Sequence, residues 1–483
     1  MPFDIRPIVF ITGIVLTLLA AAMLVPALVD FLSGHPDGRV FLAAAAASAF
    51  LGLLLALSSH APITGFGNRQ VFLLTLCIWV AAALAASLPF AFSERDLSFA
   101  DAVFEATSGV TATGSSVLHG LNGLSPGLLL WRSMLQWIGG AGILIVAVMV
   151  LPPLNIGGME LFRLETALSS PRVVPRAVKV AAHLIGLYAV LSAILVLALR
   201  LAGMDWFQAL LYAMSTISCG GFSTSDGGFG VLGTPALEWV ILMGMAVGGA
   251  PFIVFLNLAR RRWAEAGSDS QLRFYVGVIL SAALILSAWL AAVGQSTPGN
   301  AIRQGLFAAI SAITGTGYAP HGFAIAGGFP ILLLFLLAFA GGCAGSTAGG
   351  FKLFRVRILF AATRHMMARL LRPNAISSLK YDGRSVPDRV TDSVLGYLFV
   401  AILSLIGLAL MLALLGLDAA TALSMAVSAL ANLGPGLMQA GIPLGSYAEL
   451  PEAGKVLLAA GMLFGRLEML MILVLFARAF WDN

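Results

Sequence analysis

Four short stretches, spread over most of the chain, carry one pattern, and that repetition limits the fold more than any other feature. Aligned on Gly114, Gly221, Gly317 and Gly434, they read FEATSGVTATG, LYAMSTISCGG, FAAISAITGTG and SMAVSALANLG. An alanine stands eight residues before each glycine (Ala106, Ala213, Ala309, Ala426) and a serine six before it (Ser108, Ser215, Ser311, Ser428). An aliphatic residue stands four before it (Val110, Ile217, Ile313, Leu430), and the copies are 107, 96 and 117 residues apart. Self-similarity of this kind marks a supersecondary unit that the chain reuses. Each copy also opens alike, with Ser98, Asp205, Asn300 and Asp418 sixteen or seventeen residues before the anchor glycine. All four are good helix N-caps, and Ser98 with Asp101 makes a capping-box pattern. Cap to shared serine is about three turns of helix, or roughly 15 Å. The Gly-, Thr- and Ser-rich residues that follow are poor helix formers. The pattern predicts a half-helix followed by an extended return.

Between these units the chain is apolar enough to need lipid as solvent. Only 10% of residues are charged, against about 25% in soluble proteins. Runs at 71–92, 184–202, 236–258, 276–293 and 393–416 suit spans of about 20 residues, and roughly ten are expected in all. Residues 8–32, flanked by Asp4 and Arg6, read as a first span and not as a cleaved leader, since no short apolar core with a small-residue cleavage site is present. Extended backbone at membrane depth persists only where it is buried in protein or lines a wet cavity. Four such segments therefore share a cavity. Half-helix C-termini, each carrying about −0.5 charge, would favour a cation there, and backbone carbonyls would replace its water shell. The expected fold is an all-α membrane protein with four span–pore-helix–filter–span repeats in pseudo-fourfold symmetry.

Other function classes find little support. Cys77, Cys219 and Cys343 form neither a disulfide framework nor a CxxC pair, the six histidines are scattered, and HExxH and GxxxxGK[ST] motifs are absent. No enzyme, cofactor-binding site or catalytic residue is expected. Basic residues gather in three inter-span segments, around 163–179, 260–273 and 352–392, which the positive-inside rule places in the cytoplasm. Most of them read as topology determinants, and nucleic-acid binding is not indicated.

The residues resemble the Trk/Ktr/HKT superfamily of K⁺ transporters, most closely its bacterial TrkH branch. The resemblance covers essentially the whole chain. It rests on TATGSSVL (111–118), SCGGFSTSD (218–226), TGTGYA (314–319) and ANLGPGL (431–437), with QWIGGAGILIVAVMVLP (136–152), GGCAGSTAGGFK (341–352) and GRLE (465–468). It implies two extra helices in 1–65, then pore repeats in 66–160, 161–265, 266–380 (with a broken second span) and 381–483. It also implies K⁺ as the transported ion, a multi-pass protein of the bacterial inner membrane, a homodimer, and a cytosolic, TrkA-like nucleotide-binding regulatory ring. By position, Gly114, Gly221, Gly317 and Gly434 become the key filter residues. Ion-coordinating carbonyls are expected from Ala112 and Thr113, Cys219 and Gly220, Gly315 and Thr316, and Asn432 and Leu433. Relatives carry Thr where this chain has Ala112, which matters little if coordination is by backbone.

Below the filter, FPILLLFLLAFA (329–340) runs into GGCAGSTAGG. Glycines 341, 342, 345, 349 and 350 each cost a helix about 1 kcal/mol, so Gly341, Gly342, Gly345, Gly349 and Gly350 should unwind the span into an intramembrane gate loop, as TrkH relatives have. Arg466 is expected well inside the last span. A charge at such depth is a functional candidate, and Arg466 is expected to face the pathway and touch that loop. Glu468, two residues on, is a poor helical partner for it. Glu105 is a candidate buried partner for filter backbone. Gated K⁺ uptake leads; a Na⁺-permeable member, or an ion-coupled K⁺/H⁺ or K⁺/Na⁺ symport of the same fold, remains the alternative.

Overall fold

The computed structural model describes residues 4–59, 67–149, 173–294, 296–321, 328–372, 379–381, 384–434 and 447–482. Seven helices among them are long and apolar enough to span a membrane: Arg6–Leu32, Asp37–Ser58, Arg69–Ala91, Pro126–Ala147, Val178–Leu201, Ser270–Ala292 and Asp388–Leu414. Two further helix pairs qualify only as broken spans, Pro235–Gly249 with Phe252–Ala259 bent by 99° and Glu452–Arg466 with Met469–Phe476 bent by 106°. The chain is a multi-pass, all-α membrane protein. Its one β feature among the described residues is the antiparallel pair Lys380–Tyr381 and Arg384–Ser385.

The apolar run 236–258 is therefore not the single span its sequence suggests. Ala250 is extended at ψ 158 and Pro251 follows at φ −65; a proline withholds the N–H the helix needs to continue. The last span breaks too, because Glu468 sits at φ 62. Arg466 is thus at a helix end and not in the middle of a helix.

Four half-helices lie between the spans: Phe99–Val110, Trp206–Ile217, Pro298–Thr314 and Ala419–Ala431. Three start at the expected caps. The Ser98 hydroxyl accepts from the Asp101 N–H at 3.2 Å, Asp205 from Phe207 at 3.0 Å and Asp418 from Thr421 at 3.1 Å. Hydrogen bonds from the Thr421 hydroxyl and N–H hold the Asp418 carboxyl below its usual pKa. The third half-helix corrects the expectation. Its N-cap is Thr297 with Pro298 at the first helical position, leaving Asn300 inside the helix. Proline is preformed for that position and sacrifices no bonded N–H there, so the helix starts a turn early.

The first two helices form a hairpin so close that a Cβ on Gly13 would lie 2.6 Å from the Gly52 carbonyl oxygen. Small residues permit such backbone approach in membranes. The hairpin is tied to the rest where Asp30 accepts from the Gly127 N–H at 2.6 Å and Asp37 from the Glu94 N–H at 3.2 Å. His35, 3.6 Å from the Asp37 carboxylate, joins these two acids in a grouping that the scattered histidines did not suggest.

Candidate functional site

All four half-helices end in the same unusual backbone. Two residues before each anchor glycine the chain enters the left-handed region, at Ala112 (φ 52), Cys219 (φ 55), Gly315 (φ 78) and Asn432 (φ 51). Only one of the four is glycine, and an L residue there costs roughly 1–2 kcal/mol. Such strain persists where the surroundings over-determine it. Gly114, Gly221 and Gly317 are left-handed as well, at φ 85, 80 and 78. Gly434 differs, since its φ lies outside that region. Crowding explains its glycine: an added Cβ would meet the Thr316 carbonyl oxygen at 2.4 Å.

The recurring serine closes each turn. Its carbonyl accepts from Thr113 at 2.9 Å, Gly220 at 2.8 Å and Leu433 at 2.9 Å, while in the third unit Ser311 receives Gly317 at 3.4 Å. Its hydroxyl reaches the returning strand in three units, at Phe222 O (3.1 Å), Tyr318 O (2.7 Å) and Leu433 O (2.7 Å). One residue thus ties helix end to strand, which accounts for its place in the repeat.

The four strands interlock in chain order. A Cβ on Gly114 would lie 2.0 Å from Gly220 O, on Gly221 1.8 Å from Thr316 O, and on Gly317 2.7 Å from the Gly434 backbone. The ring closes because Gly434 Cα is 3.3 Å from the same point on Gly114. Gly114, Gly220, Gly221, Thr316, Gly317 and Gly434 therefore meet at one constriction.

Two supports went unread in the sequence. Gln136 donates to Gly220 O at 2.8 Å and accepts from the Ser215 hydroxyl at 2.5 Å and the Phe222 N–H at 3.2 Å. Arg132 pairs with Glu105 at 2.8 Å, both buried, and donates to Ser223 O at 2.9 Å. Glu105 in turn accepts from the Val117 N–H at 3.0 Å, so it does hold the first return strand. A readable signal existed: Arg132 and Gln136 are four residues apart, hence on one helix face, and polar groups in an apolar span are functional candidates.

Beneath the constriction, residues 341–352 leave the helix Gly328–Ala340 and cross to the helix Leu353–Leu371. At the neck of this loop a Cβ on Gly341 would lie 2.4 Å from Gly349 O, and one on Gly350 2.5 Å from Gly341 Cα. Gly349 abuts the end of the fourth half-helix, its added Cβ 2.2 Å from Ala431 O. At the tip, the Thr347 hydroxyl donates to Ile217 O at 2.9 Å and Gly248 O at 3.0 Å, and Arg466 donates to Thr347 O at 3.1 Å. Arg466 is buried, and its Nε and Nη2 find no hydrogen-bond partner among the described residues. It lines a cavity with Gly345, Gly349, Lys352, Asn432 and Glu468. The structure thus brings Arg466 to the glycine-rich loop.

The basic segment 352–392 is less uniform than its sequence suggests. Arg355 is fully buried, paired with Glu468 at 2.6 Å, and Lys352 lines the cavity; neither marks topology by exposure. Arg163, Arg172 and the motif ends at 150–152 and 435–437 lie outside the described residues.

A family model described as "TrkH: Cation transport protein" matches residues 37–482. The chain is similar to the Trk system potassium uptake protein TrkI of Halomonas elongata, 36% identical over 98% of this chain and 96% of that protein. It is 35% identical to the Trk system potassium uptake protein TrkH of Escherichia coli K12, over 99% of both. The crystal structure of the potassium transporter TrkH from Vibrio parahaemolyticus superposes with a TM-score of 0.91 at 31% identity, covering 99% of this chain and 100% of that one.

Proposed function

The chain belongs to the TrkH family of cation transport proteins, and we propose that it takes K⁺ across the inner membrane through the four-stranded constriction, as a gated, channel-like pathway. The observation that carries this reading is the left-handed turn at four equivalent positions, Ala112, Cys219, Gly315 and Asn432. Repeating one strained turn four times would bring four short stretches of carbonyls around one axis, although Gly220 O, Gly315 O and Leu433 O also accept from Gln136, the Gly434 N–H and Ser428. A K⁺ ion stripped of water would be held by those carbonyls, with the four half-helix C-termini adding negative potential. Binding by backbone dipoles needs no titratable group, which favours passive conduction over proton coupling.

In this reading the loop around Gly341–Gly350 and the Arg466 guanidinium form a barrier below the filter. A cation passing a fixed guanidinium at about 6 Å meets roughly 3 kcal/mol of repulsion at an effective dielectric of 20, a barrier that a moving loop can relieve. The helix Leu353–Leu371, continuous with the loop, would transmit the state of a cytosolic nucleotide-binding ring, and the protein would work as a homodimer. Reconstitution into liposomes with K⁺ or Na⁺, with and without the ring, tests this. K⁺ flux well above Na⁺ flux, increased by the ring, is expected. Equal fluxes overturn the selective filter, and no flux under any condition overturns the pathway.

A further inference from the structure

We infer that Arg355 and Glu468 form a latch that positions Arg466 and the intramembrane loop in the closed pathway. The inference rests on the gate reading above and adds to it the device that holds the gate in place. Three chain segments far apart in sequence meet at this pair. Arg355 lies on the first turn of the helix that leaves the loop, three residues after Lys352. Glu468 lies in the break of the last span, two residues after Arg466. Tyr397 belongs to the span Asp388–Leu414.

The contacts are directional. Arg355 Nη2 meets Glu468 Oε2 at 2.6 Å, Arg355 Nη1 donates to Phe351 O at 3.0 Å, and the guanidinium carbon sits 3.8 Å from the Tyr397 ring centroid. One planar fork therefore grips a carboxylate, its own loop's last turn and an aromatic face at once, a set that a lysine does not reproduce. The segments it joins are both strained, Lys352 at φ 77 and Glu468 at φ 62. Left-handed turns of non-glycine residues persist only where contacts impose them. The Arg355–Glu468 pair joins the two segments that contain these turns.

A buried ion pair adds little net stability compared with apolar residues of the same size, but losing one partner strands a buried charge. Such a pair favours one arrangement over others, which is what a two-position gate needs. Arg355 is a positioning residue. It is absent from the cavity lining and acts through Glu468, whose neighbour Arg466 faces the pathway. Movement of the helix Leu353–Leu371 would either carry Glu468 with it or release it, and both change where Arg466 stands.

The test is partner-free ⁸⁶Rb⁺ and ²²Na⁺ flux in liposomes holding the full chain, for wild type, Glu468→Gln, Arg355→Lys, the double exchange Arg355→Glu with Glu468→Arg, and a 341–350 deletion. Glu468→Gln keeps shape and removes the charge; it should raise Rb⁺ flux about tenfold, within the usual range of coupling between two sites, with the Rb⁺/Na⁺ ratio unchanged. Arg355→Lys should fall between, and the double exchange should return flux toward wild type. Unchanged flux in Glu468→Gln, with a deletion that does raise flux, overturns the latch and leaves the gate standing. A deletion without effect removes the gate and the latch with it. A rise that also collapses the ion ratio, or that the double exchange does not reverse, means general loosening and overturns the latch.

Discussion

The constriction and the loop beneath it differ in what side chains add to the backbone that closes them. Above, four strands are fixed by backbone turns, recurring serines and glycines whose absent Cβ makes room for a neighbour's carbonyl. Below, a single loop tied by backbone bonds such as Cys343 N–H to Gly249 O and Thr347 N–H to Gly248 O is further fixed by side chains that occur once, Thr347, Arg355, Arg466 and Glu468. Backbone closure repeated four times gives a rigid ring, since each strand blocks the next. Side-chain closure made once gives an element with discrete partners to lose. The first suits selection among ions and the second suits switching.

The strongest way to break this contrast is to put a Cβ into the ring. Gly221→Ser adds an atom 1.8 Å from Thr316 O at a residue with φ 80, so steric and backbone penalties add. K⁺-selective flux should be lost, by more than about a hundredfold for a penalty above about 3 kcal/mol. Gly434→Ser should be milder, because its Cβ meets Thr316 O at 2.4 Å without a left-handed φ. Reversal potentials decide; wild-type K⁺ over Na⁺ preference in Gly221→Ser would remove the interlocked ring from the argument.

Next in size is the proposed barrier. Arg466→Ala should raise partner-free K⁺ flux up to about a hundredfold, the ceiling set by roughly 3 kcal/mol of repulsion. Arg466→Lys should lie between, keeping charge without the fork that donates to Thr347 O. The ion ratio should hold in both. If Arg466→Ala alters the ratio and not the flux, the division between selecting and switching regions fails.

The same division explains what could be read in advance. The anchor glycines, serines and three of four caps were visible because each half-helix solves one problem in one way. Asn300 misled because Pro298, two residues earlier, offers a better first helical position. Gly434 aligns with the other three glycines without sharing their left-handed φ, because an aligned glycine reports that a side chain is excluded, not why. The loop was visible as a cluster of helix breakers, and Arg466 as a charge in apolar sequence. The contact between the two was expected, but the ion pair beside them was not. Arg355 and Glu468 are 113 residues apart, and no spacing rule joins side chains brought together only by tertiary packing. The bend at Pro251 was hidden inside a run that passes every length test for a span.

Gln136 gives a smaller effect that sharpens the comparison, since it is a side chain acting within the backbone-closed region. Gln136→Leu removes its bonds to Gly220 O, Phe222 N and Ser215 Oγ, and a buried group left unpaired costs about 1–3 kcal/mol. Selectivity for K⁺ over Na⁺ should fall about tenfold for a loss near 1.4 kcal/mol at the filter, without the rise in partner-free flux expected of Arg466→Ala. A variant with unchanged selectivity would show that the second strand keeps its place without this brace.

The smallest expected effect lies on the helix Leu353–Leu371 that continues the loop, which carries both kinds of arginine. Arg355 is buried, whereas Arg364, Arg369 and Arg372 are exposed, alongside exposed Phe360, Met366, Met367, Leu370 and Leu371. An apolar surface rimmed by positive charge suits a partner that brings apolar contacts and acidic groups. Exposed ion pairs are typically worth a few tenths of a kcal/mol each, so removing all three charges should weaken ring binding by less than about tenfold at low salt. The loss should shrink as salt rises, because the screening length falls to about 8 Å at physiological ionic strength. Ring affinity for wild type and for Arg364→Ala/Arg369→Ala/Arg372→Ala, measured across a salt series, distinguishes the cases. A lowered affinity with a shallower salt slope, and partner-free flux at the wild-type level, assigns these charges to docking. Equal affinities and slopes would leave them as topology determinants only, and the ring would then have to hold this helix through its apolar face.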